Sequence, residues 1–376
     1  MHKRKICLIT ASEITVKVFL MKHLKALCNA YDVSVVVNAN HVNFFDKTGL
    51  HIQILPVKII RNISPWQDIL ALFQLLKIFR YEKFDLIHSV TPKAGILAMV
   101  AGKIAGVPIR IHIFTGQVWV TCKGIKKLLL RYMDKILSAS ATHILADSFS
   151  QRSFLITENI VHANKITVLA NGSISGIDRE RFKPDPNKRV EIREKLNIKN
   201  SDVVFLFVGR LKKDKGVLDI AAAFGLAFSQ INNVHLLFVG PDEEDLRDYI
   251  KATIQHPGKV QFIPFTDTPE HYMAAADVLC LPSYREGFGS VIIEAAACGL
   301  PAIGSRIYGI TDAIDEGKTG MTFEVGNVKE LSELLYKFYS SQKLREEMGH
   351  NAQMRAEAMF SAERVTEAWL EYYRTV

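Results

Sequence analysis

The sequence lacks the cysteine pattern of a disulfide-stapled or zinc-binding protein. It has five cysteines, an odd number, and no two have the spacing of a zinc site or a redox pair. They are Cys7, Cys28, Cys122, Cys280 and Cys298. We therefore expect buried free thiols in a reducing compartment.

The sequence also lacks a long hydrophobic run. No apolar stretch reaches the roughly 18–20 residues that span a bilayer, because the best candidate, residues 94–114, contains Lys103 and Arg110. The basic start MHKRKICLIT has no long apolar segment followed by a cleavage site. We interpret it as a first strand, and we expect a cytoplasmic protein that attaches at most peripherally to the inner face of the plasma membrane.

Acidic residues are scarce in the first half of the chain. Residues 1–180 carry 23 Lys and Arg against 11 Asp and Glu, while the whole chain has a net charge of +8. A basic first half indicates an anionic partner, either membrane headgroups, a pyrophosphate lipid or nucleic acid. Its alternative is an incidental solvated surface. We expect no nucleic acid, since neither interleaved aromatic residues nor a recognised motif accompanies the charge.

With 376 residues and 48% hydrophobic content, the chain is long enough for two buried cores. Strands are predicted at KICLIT, VSVVV, FDLIHS, IRIHIF and THILAD, then at DVVFLFVG, NVHLLFVG, VQFIPF and DVLCLP. Apolar strands separated by helical patterns indicate parallel sheets covered on both faces. We predict an α/β fold of two Rossmann-like domains facing a central cleft. Their bounds are residues 1–180, a linker at 181–200 and residues 201–359, with a C-terminal helix at about 360–376 that crosses back to the first domain.

The first candidate site follows the predicted strand DVVFLFVG. Gly209 and Arg210 lie at its carboxyl end, and Lys215 comes shortly before the helical run VLDIAAAF. An arginine at a strand end and a lysine near a helix N-terminus can hold a diphosphate. An ordinary solvated turn is the alternative.

The second candidate site is SYREGFGSVIIEAAACG, in which Glu286 and Glu294 stand on either side of an apolar segment. The pattern predicts a loop that holds Glu286 and a helix with Glu294 in its second turn. Glycines in the loop let backbone N–H groups approach a ligand, and the helix N-terminus adds positive potential. Because carboxylates accept hydrogen bonds from vicinal hydroxyls, the pair suits sugar and ribose recognition better than acid–base chemistry.

Together, VGRLKKDKG, LPSYREGFGSVIIEAAACGLPAIGS and YGITDAIDEGKTG resemble glycosyltransferase family 4, whose members have the GT-B fold. The glutamate pair is similar to the E-x7-E motif of that family. VLANGSISGIDRERFKP resembles the segment before its interdomain linker, and HSVTPKAG and IRIHIFTG are similar to strands of members that build bacterial surface polysaccharides. The resemblance implies a retaining hexosyltransferase that moves a sugar from a nucleotide diphosphate sugar, a UDP-sugar, to a lipid-linked glycan acceptor.

The resemblance also implies a role for each site residue. Glu294 would bind the ribose hydroxyls of the donor and Glu286 the hydroxyls of its sugar, while Arg210 and Lys215 would neutralise the diphosphate. Backbone amides around residues 288–290 would meet the sugar or its phosphates. The predicted catalytic residues are Glu286, Arg210 and Lys215, and the predicted donor-binding residues are Glu294, Phe288, Gly289, Ser290, Gly209 and Thr115.

The sequence departs from the family pattern in its first half. Thr115 stands where many members have a histidine that contacts the donor sugar, and TASEITVKVF replaces their glycine-rich first loop. His112 is expected to be a core histidine rather than a ligand. No Asp-x-Asp motif is present, so the resemblance implies neither a metal nor a cofactor. The cationic side chains and the helix dipole would stabilise the leaving group instead.

Two other functions fit the same fold. A nucleotide-sugar 2-epimerase would need further acids and a histidine that the motifs do not supply. A non-catalytic binding or scaffold protein is the second alternative, and loss of Arg210, Lys215, Glu286 or Glu294 would have favoured it. All four residues are present.

A basic and apolar segment, WVTCKGIKKLLLRYMDK, suggests how an anionic membrane would be contacted. It combines five cations with Trp119 and Leu128–Leu130, a mixture that suits a helix at a headgroup surface. In the alternative, the leucines pack into the first domain and the lysines are solvated.

Overall fold

The computed structural model describes residues 3–38, 45, 49–60, 64–254 and 257–376. The chain divides into two compact units, one formed by Met1–Ser175 with Ala362–Val376 and the other by Gly176–Ser361.

The first unit contains a seven-stranded parallel sheet in the order β3-β2-β1-β4-β5-β6-β7. Its strands are β1 (Lys5–Ile9), β2 (Asp32–Val37), β3 (Gln53–Pro56), β4 (Leu86–Val90), β5 (Ile109–Phe114), β6 (His143–Ala146) and β7 (Ile166–Val168). Its first six α-helices are α1 (Glu13–Thr15), α2 (Met21–Ala30), α3 (Pro65–Glu82), α4 (Pro92–Ala105), α5 (Gly124–Ser140) and α6 (Phe149–Thr157). A π-helical turn covers Val16–Leu20 and a 3-10 helix covers Val118–Thr121.

Central strands of this sheet are buried on both faces, as expected for a parallel sheet between helices. All five residues of β4 are buried, including the polar Ser89, whose Oγ lies 2.8 Å from Nδ1 of His112 in β5. Burial lowers the pKa of His112 to about 3, so this imidazole is neutral. The prediction that His112 is a core histidine is confirmed.

The second unit contains a six-stranded parallel sheet in the order β10-β9-β8-β11-β12-β13. Its strands are β8 (Val203–Val208), β9 (Val234–Val239), β10 (Val260–Ile263), β11 (Val278–Leu281), β12 (Ala302–Ser305) and β13 (Gly320–Phe323). Its α-helices are α7 (Pro186–Lys195), α8 (Val217–Phe228), α9 (Arg247–Ile254), α10 (Pro269–Ala275), α11 (Ser290–Ala297), α12 (Ile310–Ala313), α13 (Val328–Ser340) and α14 (Gln342–Met359). Two 3-10 helices, Lys213–Lys215 and Pro257–Lys259, complete this unit.

Residues 181–200, predicted as a linker, lie inside the second unit and contain α7. Asp185 caps this helix by accepting from the N–H of Lys188, and the proline that follows is favourable in a first turn. Arg193 is fully buried and donates to Oδ2 of Asp277 at 2.8 Å. This ion pair ties the segment to the start of β11.

The last helix, α15 (Ala362–Thr375), packs in the first unit, in agreement with the sequence prediction. Trp369 is stacked between His23 and His88, with each pair of ring centroids 4.5 Å apart. The hydroxyl of Tyr373 lies 2.5 Å from Nδ1 of His88, and Thr366 Oγ1 lies 2.8 Å from Nδ1 of His23. The last residues of the chain therefore form part of the core of the first unit, together with its first residues.

All five cysteines are free thiols. Cys7, Cys280 and Cys298 are buried as predicted, whereas Cys28 and Cys122 are half-buried. Burial raises the pKa of the Cys298 thiol to about 12, so this sulfur is unreactive as a nucleophile at neutral pH.

Candidate functional site

The predicted site residues of the second unit lie at the carboxyl edge of its sheet. Strands β8 and β11 are hydrogen-bonded neighbours, with Phe205 opposite Val278. The loop 209–216 follows β8 and the loop 282–289 follows β11. Because parallel strands end at the same edge, the two loops lie side by side, at the position where open α/β sheets bind ligands.

The two loops are in direct contact. Gly216 has a φ of +68°, and a Cβ atom added there would lie 2.0 Å from the carbonyl oxygen of Pro282, so only glycine fits. The N–H of Tyr284 donates to the carbonyl of Asp214 at 3.0 Å, and the carboxylate of Asp214 pairs with Arg285 at 2.9 Å. These contacts fix the position of loop 209–216 against loop 282–289.

Lys215 and Glu286 form an ion pair across this contact. Nζ of Lys215 lies 2.6 Å from Oε1 of Glu286, and the two side chains are only 15% and 17% exposed. A cation predicted for the diphosphate and a carboxylate predicted for the sugar are thus bound to each other. Both remain at the strand edge, where a ligand that offers phosphate and hydroxyl groups would satisfy each of them separately.

Arg210 also has a carboxylate partner. Its Nη1 lies 3.1 Å from Oε2 of Glu243, which follows the neighbouring strand β9, and Lys212 lies 3.7 Å from the same oxygen. The sequence reasoning missed Glu243. Its signal was the acidic run PDEED immediately after the strand NVHLLFVG, since β9 pairs with β8 and ends at the same edge.

The start of α11 presents backbone donors rather than side chains. Gly289 precedes the helix with a φ of +76°, and no side chain caps the first turn. The N–H of Ile292 donates to the carbonyl of Gly289 at 2.8 Å, which leaves the N–H groups of Ser290 and Val291 for an anion or a hydroxyl. The ring of Phe288 is buried, with its centroid 5.3 Å from that of Phe360. Phe288 can therefore act at this site only through its backbone.

Glu294 lies one turn further along α11, next to an ion pair formed by Arg181 and Glu270. Burial raises the pKa of the Glu294 carboxyl to about 7; the positive charge of Arg181 opposes this shift and the negative charge of Glu270 adds to it. Arg181 contacts Glu270 at 2.8 Å. Among the residues that the structure describes, no donor lies within hydrogen-bonding distance of the Glu294 carboxylate, which leaves it open to hydroxyl groups of a ligand.

Thr115 belongs to the first unit and follows the end of β5, where it is half-buried. Asp147 stands at the same level after the neighbouring strand β6, since Phe114 is opposite Ala146. Burial raises the pKa of Asp147 to about 8. Thr115 therefore lies at the carboxyl edge of its own sheet, beside a buried carboxyl group that the sequence reasoning did not single out.

Two parallel α/β sheets, one carrying this set of cations and carboxylates at its carboxyl edge, define the class of GT-B glycosyltransferases. Family models match over most of the chain: "Glycosyl transferase 4-like domain" over residues 16–172 and "Glycosyl transferases group 1" over residues 188–355. The chain belongs to this glycosyltransferase family, as its motifs predict.

Similar proteins agree with this assignment. The chain is 37% identical to the capsular polysaccharide biosynthesis glycosyltransferase CapM of Staphylococcus aureus, over 92% of this chain and 90% of the relative. It is 30% identical to the Escherichia coli UDP-Gal:alpha-D-GlcNAc-diphosphoundecaprenol alpha-1,3-galactosyltransferase, over 71% of this chain and 70% of that one. The structure of Anabaena HepE in complex with UDP and glucose has the same fold, with a TM-score of 0.82 at 19% identity, and the match covers 99% of this chain and 100% of that one.

Proposed function

We propose that this glycosyltransferase moves a sugar from a uridine diphosphate sugar to a lipid-linked glycan, with retention of the anomeric configuration, in the biosynthesis of a bacterial surface polysaccharide. One observation carries the proposal. Two cations and two carboxylates, Arg210, Lys215, Glu286 and Glu294, lie on two contacting loops and one helix at the carboxyl edge of a single sheet.

Each group has a partner on such a donor. Glu294, which lacks a hydrogen-bond donor among the described residues, accepts from the ribose hydroxyls. Arg210 and Lys215 bind the diphosphate, and Glu286, once separated from Lys215, accepts from the sugar hydroxyls. The uncapped N-terminus of α11 supplies backbone N–H groups to the same ligand. Gly209 lets the chain turn at the end of β8, with a φ of +154°. Thr115, at the carboxyl edge of the sheet in its own unit, stays a predicted donor-binding residue.

The reaction forms a bond between an acceptor oxygen and the anomeric carbon while the bond from that carbon to the phosphate oxygen breaks. In a front-face attack, the departing phosphate oxygen takes the proton of the acceptor hydroxyl. Negative charge then accumulates on the diphosphate, where Arg210, Lys215 and the start of α11 stabilise it. These groups can supply that stabilisation without a metal ion, so chelation of divalent metal should leave turnover unchanged.

Names of two relatives support the choice of donor and acceptor. The Escherichia coli relative is named for UDP-Gal as its donor and a diphosphoundecaprenol-linked sugar as its acceptor, and the Staphylococcus aureus relative is named for capsular polysaccharide biosynthesis. By analogy we propose a polyprenyl diphosphate glycan as the acceptor here. An acceptor anchored in a bilayer requires the enzyme to work at a cytoplasmic membrane surface, and the basic first unit suits an anionic one.

Incubation with a panel of radiolabelled nucleotide sugars and a bacterial membrane extract tests this function. Transfer of label from a UDP-sugar into the lipid-extractable fraction, unchanged in EDTA, is the expected result. Conversion of the nucleotide sugar without any acceptor would instead identify an epimerase. Binding of UDP without turnover of any donor would identify a scaffold.

Arg210→Ala tests the diphosphate site directly, and Lys212→Ala is its matched control. Both cations lie on the same loop and contact Glu243, but only Arg210 stands directly at the end of β8. A charge-assisted hydrogen bond is worth roughly 1.5–3 kcal/mol, so Arg210→Ala should reduce turnover about ten- to a hundredfold. Lys212→Ala should change it less than about threefold. Equal effects in the two variants would place the diphosphate elsewhere.

A further inference from the structure

Exposed hydrophobic side chains are concentrated in the first unit. Of the twenty-one large hydrophobic side chains that are exposed among the described residues, fifteen lie there. Helix α3 carries five of them, Tyr81 near its end and four in its first half: Trp66, Ile69, Leu70 and Phe73. These four recur at spacings of three and four residues, so they form one stripe on the helix. The opposite side of α3 packs Leu75 and Phe79 into the core.

Helix α5 carries a second stripe with the same spacing. Its exposed members are Ile125, Leu128, Leu129, Tyr132 and Ile136. The sequence alone left open whether these leucines pack inward, and the structure shows Leu128 65% exposed. Trp119, which the sequence hypothesis grouped with them, is buried instead, since its Nε1 donates to Asp134 and its ring stacks on Phe154.

The two stripes face the same way. Helix α3 packs beside α4, and α4 packs beside α5. All three contribute to one core cluster with the sheet, through Leu75 of α3, Ala98 of α4 and Leu137 of α5. Their outward sides therefore form one surface, here called the α3–α5 face, to which Ile104 of α4 adds a further exposed apolar side chain.

Net charge on the α3–α5 face is positive. Its three carboxylates are engaged: Asp68 pairs with Lys93 at 2.6 Å, Glu82 pairs with Lys5 at 3.7 Å, and Asp134 accepts from the buried Trp119. Within the described part of the chain, seven cations of these helices and of the residue before α5 have no acidic partner. They are Lys77, Arg80, Lys103, Lys123, Lys126, Lys127 and Lys135.

We propose that the α3–α5 face binds an anionic lipid bilayer, with the two apolar stripes inserted among the headgroups and the unpaired cations at their phosphates. A mixed basic and apolar surface of this kind is what an anionic interface attracts. A second copy of this chain is a poorer occupant, because two such faces would repel each other. No helix in the described ranges is long and apolar enough to cross a membrane. This inference rests on the proposed lipid-linked acceptor, and it adds α3 to the contact that the sequence suggested for α5 alone.

Co-sedimentation with phosphatidylglycerol vesicles, and with phosphatidylcholine vesicles for comparison, tests the proposal. One variant changes α3 (Trp66→Ala with Phe73→Glu) and another changes α5 (Ile125→Glu with Leu128→Glu). The matched control is Leu226→Glu in the second unit, where the side chain is 64% exposed. Each face variant should bind phosphatidylglycerol vesicles at least about tenfold more weakly than the control does, given the apolar area and charge that each stripe contributes.

Calorimetry with UDP separates this test from the test of the proposed function. All variants should bind UDP as the wild type does, because the substitutions lie outside the second unit or on its exposed surface. Protection of β1 and β4 from hydrogen exchange as strong as in the wild type would show that the first unit of each face variant is folded. Wild-type binding to phosphatidylcholine as strong as to phosphatidylglycerol, or to neither, would overturn the proposal. The proposal would also be overturned if the α3 variant bound phosphatidylglycerol vesicles as strongly as the wild type does. If the protein binds vesicles but has no affinity for UDP, the proposed function is refuted, whereas membrane binding by the α3–α5 face is not.

Discussion

At the scale of single residues, the ion pair between Lys215 and Glu286 determines how the candidate site can bind a donor. The pair is short, at 2.6 Å, and largely shielded from water, so it is stronger than an exposed salt bridge. A diphosphate that binds Lys215 has to replace this carboxylate. Glu286 therefore competes with the phosphates for Lys215 until the donor sugar occupies it.

Glu286→Gln should consequently separate binding from transfer. Loss of the competing negative charge should tighten UDP binding by about two- to tenfold, a change of roughly 0.5–1.5 kcal/mol. Transfer should fall, because the sugar loses a charged acceptor for its hydroxyls. Calorimetry and a transfer assay measure the two effects. Weaker UDP binding in this variant would show that Glu286 contacts the nucleotide itself.

Glu294 makes nucleotide binding depend on pH. Since burial raises its pKa to about 7, against the opposing charge of Arg181, the carboxyl is largely neutral at pH 6 and ionised at pH 8. An ionised carboxylate accepts ribose hydroxyls more strongly. UDP affinity should thus rise by up to about tenfold over this range. In Glu294→Gln this component should vanish, so any pH dependence left in the variant belongs to the phosphates and to other groups. Equal profiles for the two proteins would remove Glu294 from the site.

The same pKa shift has a consequence for stability. A carboxyl with a raised pKa stabilises the fold fully below its ordinary value of 4.5, and this contribution is lost as the pH rises to about 7. The decline is at most about 1.4 kcal/mol per pH unit. The free energy of unfolding of Glu294→Gln, measured with denaturant across this pH range, should not show this decline.

At the scale of elements, the contact between loops 209–216 and 282–289 depends on Gly216. Its Cβ would meet the carbonyl of Pro282 at 2.0 Å, whereas Gly317 has a similar φ of +75° with nothing within 4 Å. Gly317→Ala should cost only the backbone strain, about 1 kcal/mol. Gly216→Ala should cost at least about 2 kcal/mol more in the free energy of unfolding, and it should weaken UDP binding because the loops separate. Urea denaturation measures the stability of the two variants, and calorimetry measures their UDP binding. Equal stabilities would mean that the two loops can move apart at little cost in free energy.

Elements were predictable from the sequence where local pattern decides them. The buried central strands β8 and β11, for example, are continuous apolar runs. Four short strands were missed: β7 has three residues, β3 ends in a proline, and β12 and β13 each contain a glycine, and proline and glycine are unfavourable signals for a strand. Helix α7 was taken for linker since its sequence PNKRVEIREK is mostly polar, and its fixed position comes from the ion pair of Arg193 with Asp277, distant in sequence.

The residues of the candidate site could be predicted from the sequence, but the ion pairs between them could not. Strand ends and glycines identify Arg210, Lys215, Glu286 and Glu294 as residues of one edge. Their pairing depends on how closely two loops approach across β8 and β11, which no local pattern encodes. The same limit applies to α5, where periodicity shows an apolar stripe but not whether it faces the core or the solvent.

At the scale of the whole molecule, the two units have separate hydrophobic cores, and the first depends on α15. Deletion of residues 362–376 removes Trp369 from between His23 and His88. Loss of one buried tryptophan costs about 3–5 kcal/mol, comparable with the entire stability of many domains. The truncated chain should therefore lose the fold of its first unit.

The second unit, which contains Arg210, Lys215, Glu286 and Glu294, should stay folded in that truncated chain and bind UDP. Hydrogen exchange resolved along the chain, with UDP calorimetry, measures both outcomes, and Trp369→Phe serves as a milder control. Protection of β1 and β4 as strong as in the full chain would contradict the dependence on α15. Loss of UDP binding would contradict the independence of the second unit.

Because α15 belongs to the first unit, the second unit can finish folding before the first during synthesis. Chains emerge from the ribosome at about 5–20 residues per second, and amino-terminal domains usually fold first. Here residues 176–361 form a contiguous unit, which can close as soon as it has left the exit tunnel. Residues 1–175 emerge earlier but must wait for the last helix to be translated, with the apolar surface around His23 and His88 uncovered in the meantime. A premature stop codon that removes only this helix would thus damage the part of the protein that was made first.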